Sequence, residues 1–355
     1  MLPIRRIWPY GAGSVHVSKI ADALLRGKSG GYPADYKLLY IASAGYPNQF
    51  LNVNKHVQAL KSESLEFVVM HEQVMTPGAK FADILLPCST FLERNDIAQW
   101  SATWFYGYQN KVIEPLGESK SSLEICKELA KRLDIAHFFD KTEDETLRDM
   151  VELCPDIENY EAFRKQGLHK MNPAEPHVAF REQIEDPENN PFPTPSGKIE
   201  IFSQLISEMN DQDIPPIPKY LDSWESPTDP ISEKYPLQLI TTHFKGRAHS
   251  QFHNVPWLRE LLPQTVLISS SDARARGIKD GDSVRVFNDR GQMIIPARVS
   301  GRIMPGVVDI PQGAWFDLDR NGIDRGGCAN ILTKDEYSPG GGYCTNTALV
   351  QVEPA

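Results

Sequence analysis

Apolar runs alternate with amphipathic stretches along the first hundred residues. Residues 36–44 (YKLLYIASA) form a compact apolar run that predicts a buried parallel strand. The run ends in Gly45-Tyr46-Pro47-Asn48-Gln49, a turn cluster suited to a chain leaving a sheet's carboxyl edge. Val53, Val57 and Leu60 recur at helical spacing, which predicts a helix over about 51–61. A second strand is expected at 65–71 (LEFVVMH) and a third at 83–87 (DILLP). Between them, Thr76-Pro77 reads as an N-cap followed by proline at the first helical position. The resulting βαβαβ order predicts an α/β fold with a parallel sheet, its ligands lying outside the strand carboxyl ends.

Leu123, Cys126, Leu129, Ala130 and Leu133 share one face of an expected helix at 121–133, and further helical segments are expected within 143–167. From about 172 to 236 proline becomes dense, which favours a connector, with one short strand expected at 196–202 (SGKIEIF). From Leu237 the periodicity changes to short strands separated by glycine turns. Strands are expected at 237–242, 265–269, 283–288, 293–300 and 306–310, with a short helix at 272–276. Asn288-Asp289-Arg290-Gly291 is a hairpin signal. Many short strands and little helix predict a closed β-barrel.

The 355 residues suit about two domains. A net charge of −10, spread along the chain, argues against a nucleic-acid surface. It leaves room for a phosphate-bearing ligand held by local amides and a few cations. Arg5-Arg6 is followed by Ile7-Trp8-Pro9-Tyr10-Gly11 rather than a continuous apolar run, so no export signal is read there. Cys88, Cys126, Cys154, Cys328 and Cys344 form no C-x-x-C pair and no zinc or iron–sulfur spacing. Reduced thiols and no metal ligands are the expectation.

Four places carry candidate chemistry. Gly45, Asn48 and Gln49 offer a close-approach glycine beside paired amides, or make an ordinary turn. His71-Glu72 ends the second strand, where a carboxylate commonly meets ribose or base; a solvated strand end is equally consistent. Thr76 could meet phosphate at a helix start, and Arg94 could bind phosphate or pair with an acid. Residues 242–253 (THFKGRAHSQFH) gather three histidines with Thr242, Lys245, Arg247, His249, Ser250 and Gln251. Without neighbouring carboxylates or cysteines they favour anion and pterin recognition over a metal site. Asn330 and Asn346 lie among glycines, suiting either a ligand with mixed donor and acceptor edges or a flexible loop.

Taken together, three stretches resemble the catalytic subunits of the dimethyl sulfoxide reductase family of molybdopterin oxidoreductases, of the membrane-associated multi-subunit type. They are FVVMHEQVMTPGAKFADILLPCSTFLERNDI (67–97), THFKGRAHSQFHNVPWLRE (242–260), and the barrel region with SSSDARARGIKDGDSVRVFNDRG (269–291), GVVDIPQGAWFD (306–317) and GGCANILT (326–333). The resemblance implies a partial, doubly wound α/β cofactor domain over 1–175, a proline-rich connector over 176–235 and a double-psi β-barrel over 236–355. It also implies a bis(molybdopterin guanine dinucleotide) molybdenum cofactor shared with an N-terminal half. That half would hold the molybdenum ligand and the iron–sulfur cluster. His71 and Glu72 would bind one guanosine, with Thr76 and Arg94 nearby. Thr242, Arg247, His249, Ser250 and Gln251 would line pterin and phosphates, faced by Asn330 and Asn346. Two positions depart from the family pattern: Gly45 stands where asparagine is usual, and Ser122 where aspartate is common.

The implied reaction is oxygen-atom transfer from a small S-oxide or N-oxide, with an iron–sulfur electron-transfer subunit and a membrane anchor as partners. The implied setting is periplasmic or membrane-associated. The chain is expected to be part of such an enzyme, inactive alone, and none of its residues stands out as a catalytic acid, base or nucleophile. Other substrates of the family (nitrate, selenate, polysulfide, or a dehydrogenase reaction) and a non-catalytic cofactor-binding or assembly role stay open at this point.

Overall fold

The computed structural model describes residues 13–42, 44–99, 104–135, 140–154, 156–171 and 175–355. Arg5, Arg6, Ser43 and Pro173 lie outside them. The first elements are α1 (Ile20–Arg26), β1 (Leu38–Ile41), α2 (Val53–Leu60), β2 (Phe67–Glu72) and β3 (Ile84–Pro87). The three strands form one sheet in the order β1-β2-β3. Asp83 N–H donates to Val68 O and Cys88 N–H to Glu72 O, so β2 and β3 ascend together, as in a parallel pair.

The expected first three strands and the α2 helix are present, with two differences. β1 exposes Leu38 (54%) and buries Ile41, so its apolar run is buried on one face only. An apolar run read from sequence does not distinguish one covered face from two. The helix expected after Thr76 is a single 3-10 turn, Ala79–Phe81, whose Ala79 N–H donates to Thr76 Oγ1 at 3.2 Å.

Next come β4 (Asp96–Gln99), β5 (Phe105–Gln109), α3 (Ser122–Arg132), α4 (Glu143–Glu152), α5 (Tyr160–Gln166) and β6 (Leu168–Lys170). β4, β5 and β6 make an antiparallel sheet that the sequence pattern did not reveal. On β5, Tyr106 and Tyr108 alternate into a core with Leu147, Val151, Tyr160 and Phe163. Among its described residues the proline-rich region holds the short helices α6 (Arg181–Glu185) and α7 (Gln204–Met209), plus a 3-10 turn at Pro230–Glu233. The strand expected at 196–202 is absent. Gly197 N–H donates to Thr194 O, Ser196 N–H to Glu200 Oε1, and Phe192 N–H to Gly197 O. These local turns, with Gly197 at φ +69°, take backbone donors that a strand ladder would need.

The last elements are β7 (Leu237–Ile240), α8 (Pro256–Leu261), β8 (Val266–Ser269), α9 (Ser270–Ala275), β9 (Ser283–Asn288), β10 (Gly291–Ser300), β11 (Val307–Asp309) and β12 (Leu349–Pro354). Six strands close into a barrel in the order β10-β8-β11-β7-β12-β9. The expected barrel is therefore present, although its closing strand β12 was not foreseen. Leu237, Leu239, Val266, Ile268, Val284, Val286, Met293, Ile295, Val308, Val350 and Val352 are buried, alternating along their strands, and fill the interior. Val53 and Val57 of α2 join this core.

Two compact units emerge. One contains residues up to 69, 75–83 and everything from 201; the other contains 70–74 and 84–200. Within the first unit, β11 runs parallel to β7, and β12 antiparallel to β7 with Leu349 opposite Gln238. The loops leaving β7 and β11 and the loop entering β12 therefore meet at one barrel end.

A buried ion pair braces this unit. Arg290 Nη1 and Nη2 donate to Glu225 Oε1 and Oε2 at 2.6 and 2.7 Å, and Leu349 N–H donates to Glu225 Oε2 at 3.1 Å. Arg290→Met leaves a buried carboxylate unpaired and is expected to cost about 3–5 kcal/mol. Glu225→Leu combined with Arg290→Met is expected to recover much of that loss; chemical denaturation of the three proteins checks both statements.

Candidate cofactor site

The first unit's site is built from the three loops at the barrel end. Thr242 leaves β7 fixed to β11, its N–H and Oγ1 donating to Asp309 Oδ1 and Oδ2 at 3.1 and 2.7 Å. Five residues on, Arg247 lies over the Phe244 ring, with its guanidinium carbon 3.9 Å from the centroid. Its Nη2 donates to Gln264 Oε1 at 2.9 Å and to Gln312 O at 3.0 Å. Its Nε is buried with no hydrogen-bond partner. Among the described residues no carboxylate lies within ion-pair distance of it. Burial lowers its pKa to about 10. A half-buried cation held only by amides and a ring is costly without an anion, so the geometry favours an anionic ligand.

His253, also buried, packs against Trp315 with ring centroids 5.7 Å apart, and its Nδ1 lies 3.5 Å from Arg247 Nη1. Burial first, then Arg247 and Arg259, push its pKa down to about 4. Gln312 reaches both other loop histidines, its Nε2 lying 3.1 Å from His243 Nδ1 and 3.0 Å from His249 Nδ1. No group of three or more His, Cys, Asp or Glu suited to a metal occurs among the described residues. Gly313 lets this crossing form: its φ is +89°, and a Cβ there would sit 1.9 Å from His249 O.

Asn48 and Ser250 link the loops. Asn48 Nδ2 donates to Ala314 O at 3.0 Å, and its Oδ1 accepts from Phe316 N–H at 2.9 Å. Its backbone oxygen accepts from Asn330 Nδ2 at 3.1 Å. Ser250 Oγ accepts from Gln49 Nε2 at 2.9 Å, and Ser250 O from Trp315 Nε1 at 2.8 Å. A Cβ on Gly45 would lie 2.9 Å from Gln49 Nε2, so glycine at 45 keeps that bond in place. Asn346 Oδ1 accepts from Thr241 N–H and Oγ1, at 2.6 and 3.2 Å. Lys245 and Gln251 are exposed at the loop surface. Beneath the loops, buried Asp324 accepts from the N–H groups of Asp317, Gly326 and Cys328, and burial raises its pKa.

Thus Asn48, Thr242, Arg247, His249, Ser250, Asn330 and Asn346 lie on connected loops of one unit. Thr76 caps its own turn in the same unit. Gln264, Gln312, Trp315, Asp309 and Asp324 were not foreseen. Gln312-Gly313 directly after an apolar strand was the one local signal available.

In the second unit, His71 is buried, which lowers its pKa, and Glu72 follows it at the strand end. Arg94 donates through Nε to Asp96 Oδ2 at 3.1 Å and through Nη1 to Ser89 O at 2.8 Å. Arg94 lines a cavity of about 320 Å³ with Ser89, Lys111, Ser121, Glu124 and Lys127, at the N-terminus of α3. Ser89 Oγ is buried there with no hydrogen-bond partner. Ser122 Oγ lies 3.8 Å from Cys88 Sγ.

The buried histidines make stability depend on pH. His253 and His56, the latter buried against Tyr46, both have pKa values pushed down to about 4 from 6.5. The fold favours their neutral forms, so their contribution is complete above about pH 6.5 and is lost as pH falls toward 4. At pH 5 each is expected to have cost about 2 kcal/mol. Denaturation at pH 7.5 and 5.0 checks this, with His253→Phe expected to remove about half of the difference.

Residues 237–347 match the family model for the molydopterin dinucleotide binding domain, and residues 26–132 match that for molybdopterin oxidoreductase. Dimethyl sulfoxide reductase DmsA of Escherichia coli K12 is 41% identical over 325 aligned residues, covering 86% of this chain and 40% of that relative. The dimethyl sulfoxide/trimethylamine N-oxide reductase of Cereibacter sphaeroides is 34% identical over 384 aligned residues, covering 97% and 45%. Acetylene hydratase from Pelobacter acetylenicus superposes with a TM-score of 0.77 over 97% of this chain and 47% of that one, and at 21% identity shows a shared fold. The chain spans less than half the length of these relatives. With both domain matches in chain order and such identities across most of its length, the chain belongs to the molybdopterin oxidoreductase family.

Proposed function

We propose that this chain is the cofactor-clasping part of a molybdopterin-dependent reductase of S-oxides or N-oxides. The relatives' names support the substrate class. The observation that carries cofactor binding is Arg247, a half-buried guanidinium without a carboxylate partner among the described residues. The first unit's chemistry fits a polyanionic, amide-edged group: the Arg247 guanidinium supplies the charge and Asn346 Nδ2 a donor at the same barrel end. In this reading the group is a bis(molybdopterin guanine dinucleotide) molybdenum cofactor shared with a further segment. That segment would supply the metal's protein ligand and an iron–sulfur cluster. The barrel is read as double-psi, and the α/β part, over about 1–175, as a portion of a doubly wound sheet. An iron–sulfur subunit, a membrane anchor and a periplasmic or membrane-associated setting belong to the same proposal.

When bound, the molybdenum–pterin group supplies the two-electron oxygen-transfer chemistry. The chain's own residues bind and orient it. Arg247 neutralises negative charge, while Gln264 holds the guanidinium and also donates to Pro311 O and Gly327 O at 2.7 and 3.0 Å. Gln312 sets the His243 and His249 rings, and Asn48 locks the loops that carry them. His71 and Glu72 would meet guanosine, with Thr76 and Arg94 nearby, and Thr242, Ser250, Gln251 and Asn330 would line the pterin side.

The test is to express the chain in a host that makes the molybdenum cofactor and to measure molybdenum and released guanine nucleotide per chain. Arg247→Gln is expected to weaken retention by about 10- to 100-fold, the scale of a charged hydrogen bond. Lys245→Ala, at an exposed site, is expected to change it by less than about threefold. Equal retention by the Arg247 variant and the parent chain would sink the reading.

A further inference from the structure

The loop entering β12 contains Ser338-Pro339-Gly340-Gly341-Gly342, a poor candidate for holding its own shape. Its internal bonds run Ser338 N–H to Gly342 O at 2.9 Å, Gly341 N–H to Ser338 O at 2.7 Å, and Gly342 N–H to Ser338 Oγ at 3.1 Å. A Tyr337–Tyr343 bridge closes its base. Three consecutive glycines carry a large conformational entropy, so these bonds alone restrain the hairpin weakly. Yet the loop ends at Asn346, whose Oδ1 accepts twice from Thr241. That leaves Asn346 Nδ2 as a donor with no hydrogen bond among the described residues. The same contact ties the loop to the start of segment 242–253.

The additional restraint comes from the far end of the sequence. His16 Nε2 donates to Gly341 O at 3.1 Å, across 325 residues. Its ring centroid lies 4.0 Å from that of Tyr337 and 6.4 Å from that of Tyr343. His16 Nδ1 accepts from Ser18 N–H at 3.2 Å and lies 2.8 Å from Ser18 Oγ, which places the ring hydrogen on Nε2. Lys19 adds a second tether, donating to Asp335 O and pairing with Glu336 Oε1, both at 2.8 Å. Residues 16–19 precede the first family-model match, which begins at 26, whereas the hairpin they hold falls inside the second.

We propose that His16 is a positioning residue for the cofactor site: through Gly341 it holds the glycine hairpin so that Asn346 stays presented at the barrel end. The inference rests on the proposed function in taking Asn346 as a cofactor contact. Its two ring nitrogens separate two roles. Nδ1 caps the turn at Val17–Lys19, and Nε2 donates to the hairpin.

His16→Asn keeps a good N-cap acceptor but is too short to reach Gly341. From protein loaded with cofactor in the cell, we would follow guanine-nucleotide release over time for the parent chain, H16N, N346A and H16N/N346A. Hydrogen exchange over 338–343 would be read alongside. H16N is expected to raise exchange in the hairpin and to speed release about 3- to 10-fold, the scale of one hydrogen bond. Because His16 acts through Asn346, the double variant should release no faster than N346A. Parent-like release from H16N, or effects that multiply in the double variant, overturns the positioning role and leaves the proposed function standing. A parent chain that carries no guanine nucleotide overturns both.

Discussion

Closure of the barrel is the constraint on which the first unit depends. Six short strands leave no edge only because β10 pairs with β8 and β11 with β7 in parallel, while the other four pairings are antiparallel. A parallel pair cannot be joined by a tight turn. Each such pair therefore requires long crossing chain, and the crossings after β7 and β11 leave the same barrel end. Arg247 lies on one and Gln312 on the other, which is why a bond between residues 65 apart is a local event at that end. The interior that drives closure is aliphatic and continuous, so the loops are displayed on a rigid base.

Most of this frame is legible in the sequence because it follows from local pattern. Leu237 and Leu239, Val284 and Val286, and Met293 and Ile295 alternate inward wherever a strand was expected. Ser121 caps α3 through Glu124 N–H, as its position before an apolar helical face suggests. What stayed hidden has a shared cause. β12 is framed by a glycine-rich loop and a terminal proline, and its strand character comes from pairing with β7 and β9. β4 to β6 are short, and the alternation of Tyr106 and Tyr108 gains meaning only against the α4–α5 face. The segment 196–202 points the other way, since local turns claim backbone groups that a strand would have paired.

The site was legible by residue type and opaque in its wiring. Arg247, Ser250 and Asn330 announce themselves as polar groups among glycines and aromatics. Asn48 was singled out as a possible ligand contact, but both ends of its side-chain amide bond to residues 266 and 268 positions away. No reading of its neighbours contains that information. Gln264 and Gln312 are similar, being ordinary amides until loop crossing brings them to the guanidinium. Asp324 is the strongest case. A carboxylate followed closely by glycines reads as a solvated turn, yet it is fully buried and organises three backbone donors.

The choice of amides and rings around Arg247 has an electrostatic consequence. A carboxylate in place of Gln264 would hold the guanidinium more strongly, through a charge-assisted pair. It would also cancel the field that attracts an anion, and ligand binding would then compete with the internal pair. Neutral holders avoid that competition at some cost in the stability of the chain alone, consistent with the lowered pKa of the arginine. His253 fits the same logic. Beside a half-buried cation a second positive charge is disfavoured, so burial and Arg247 together keep the imidazole neutral, able to accept rather than repel. The site thus sets the Arg247 charge among orienting dipoles rather than carboxylates, an arrangement that leaves its electrostatic compensation to the ligand.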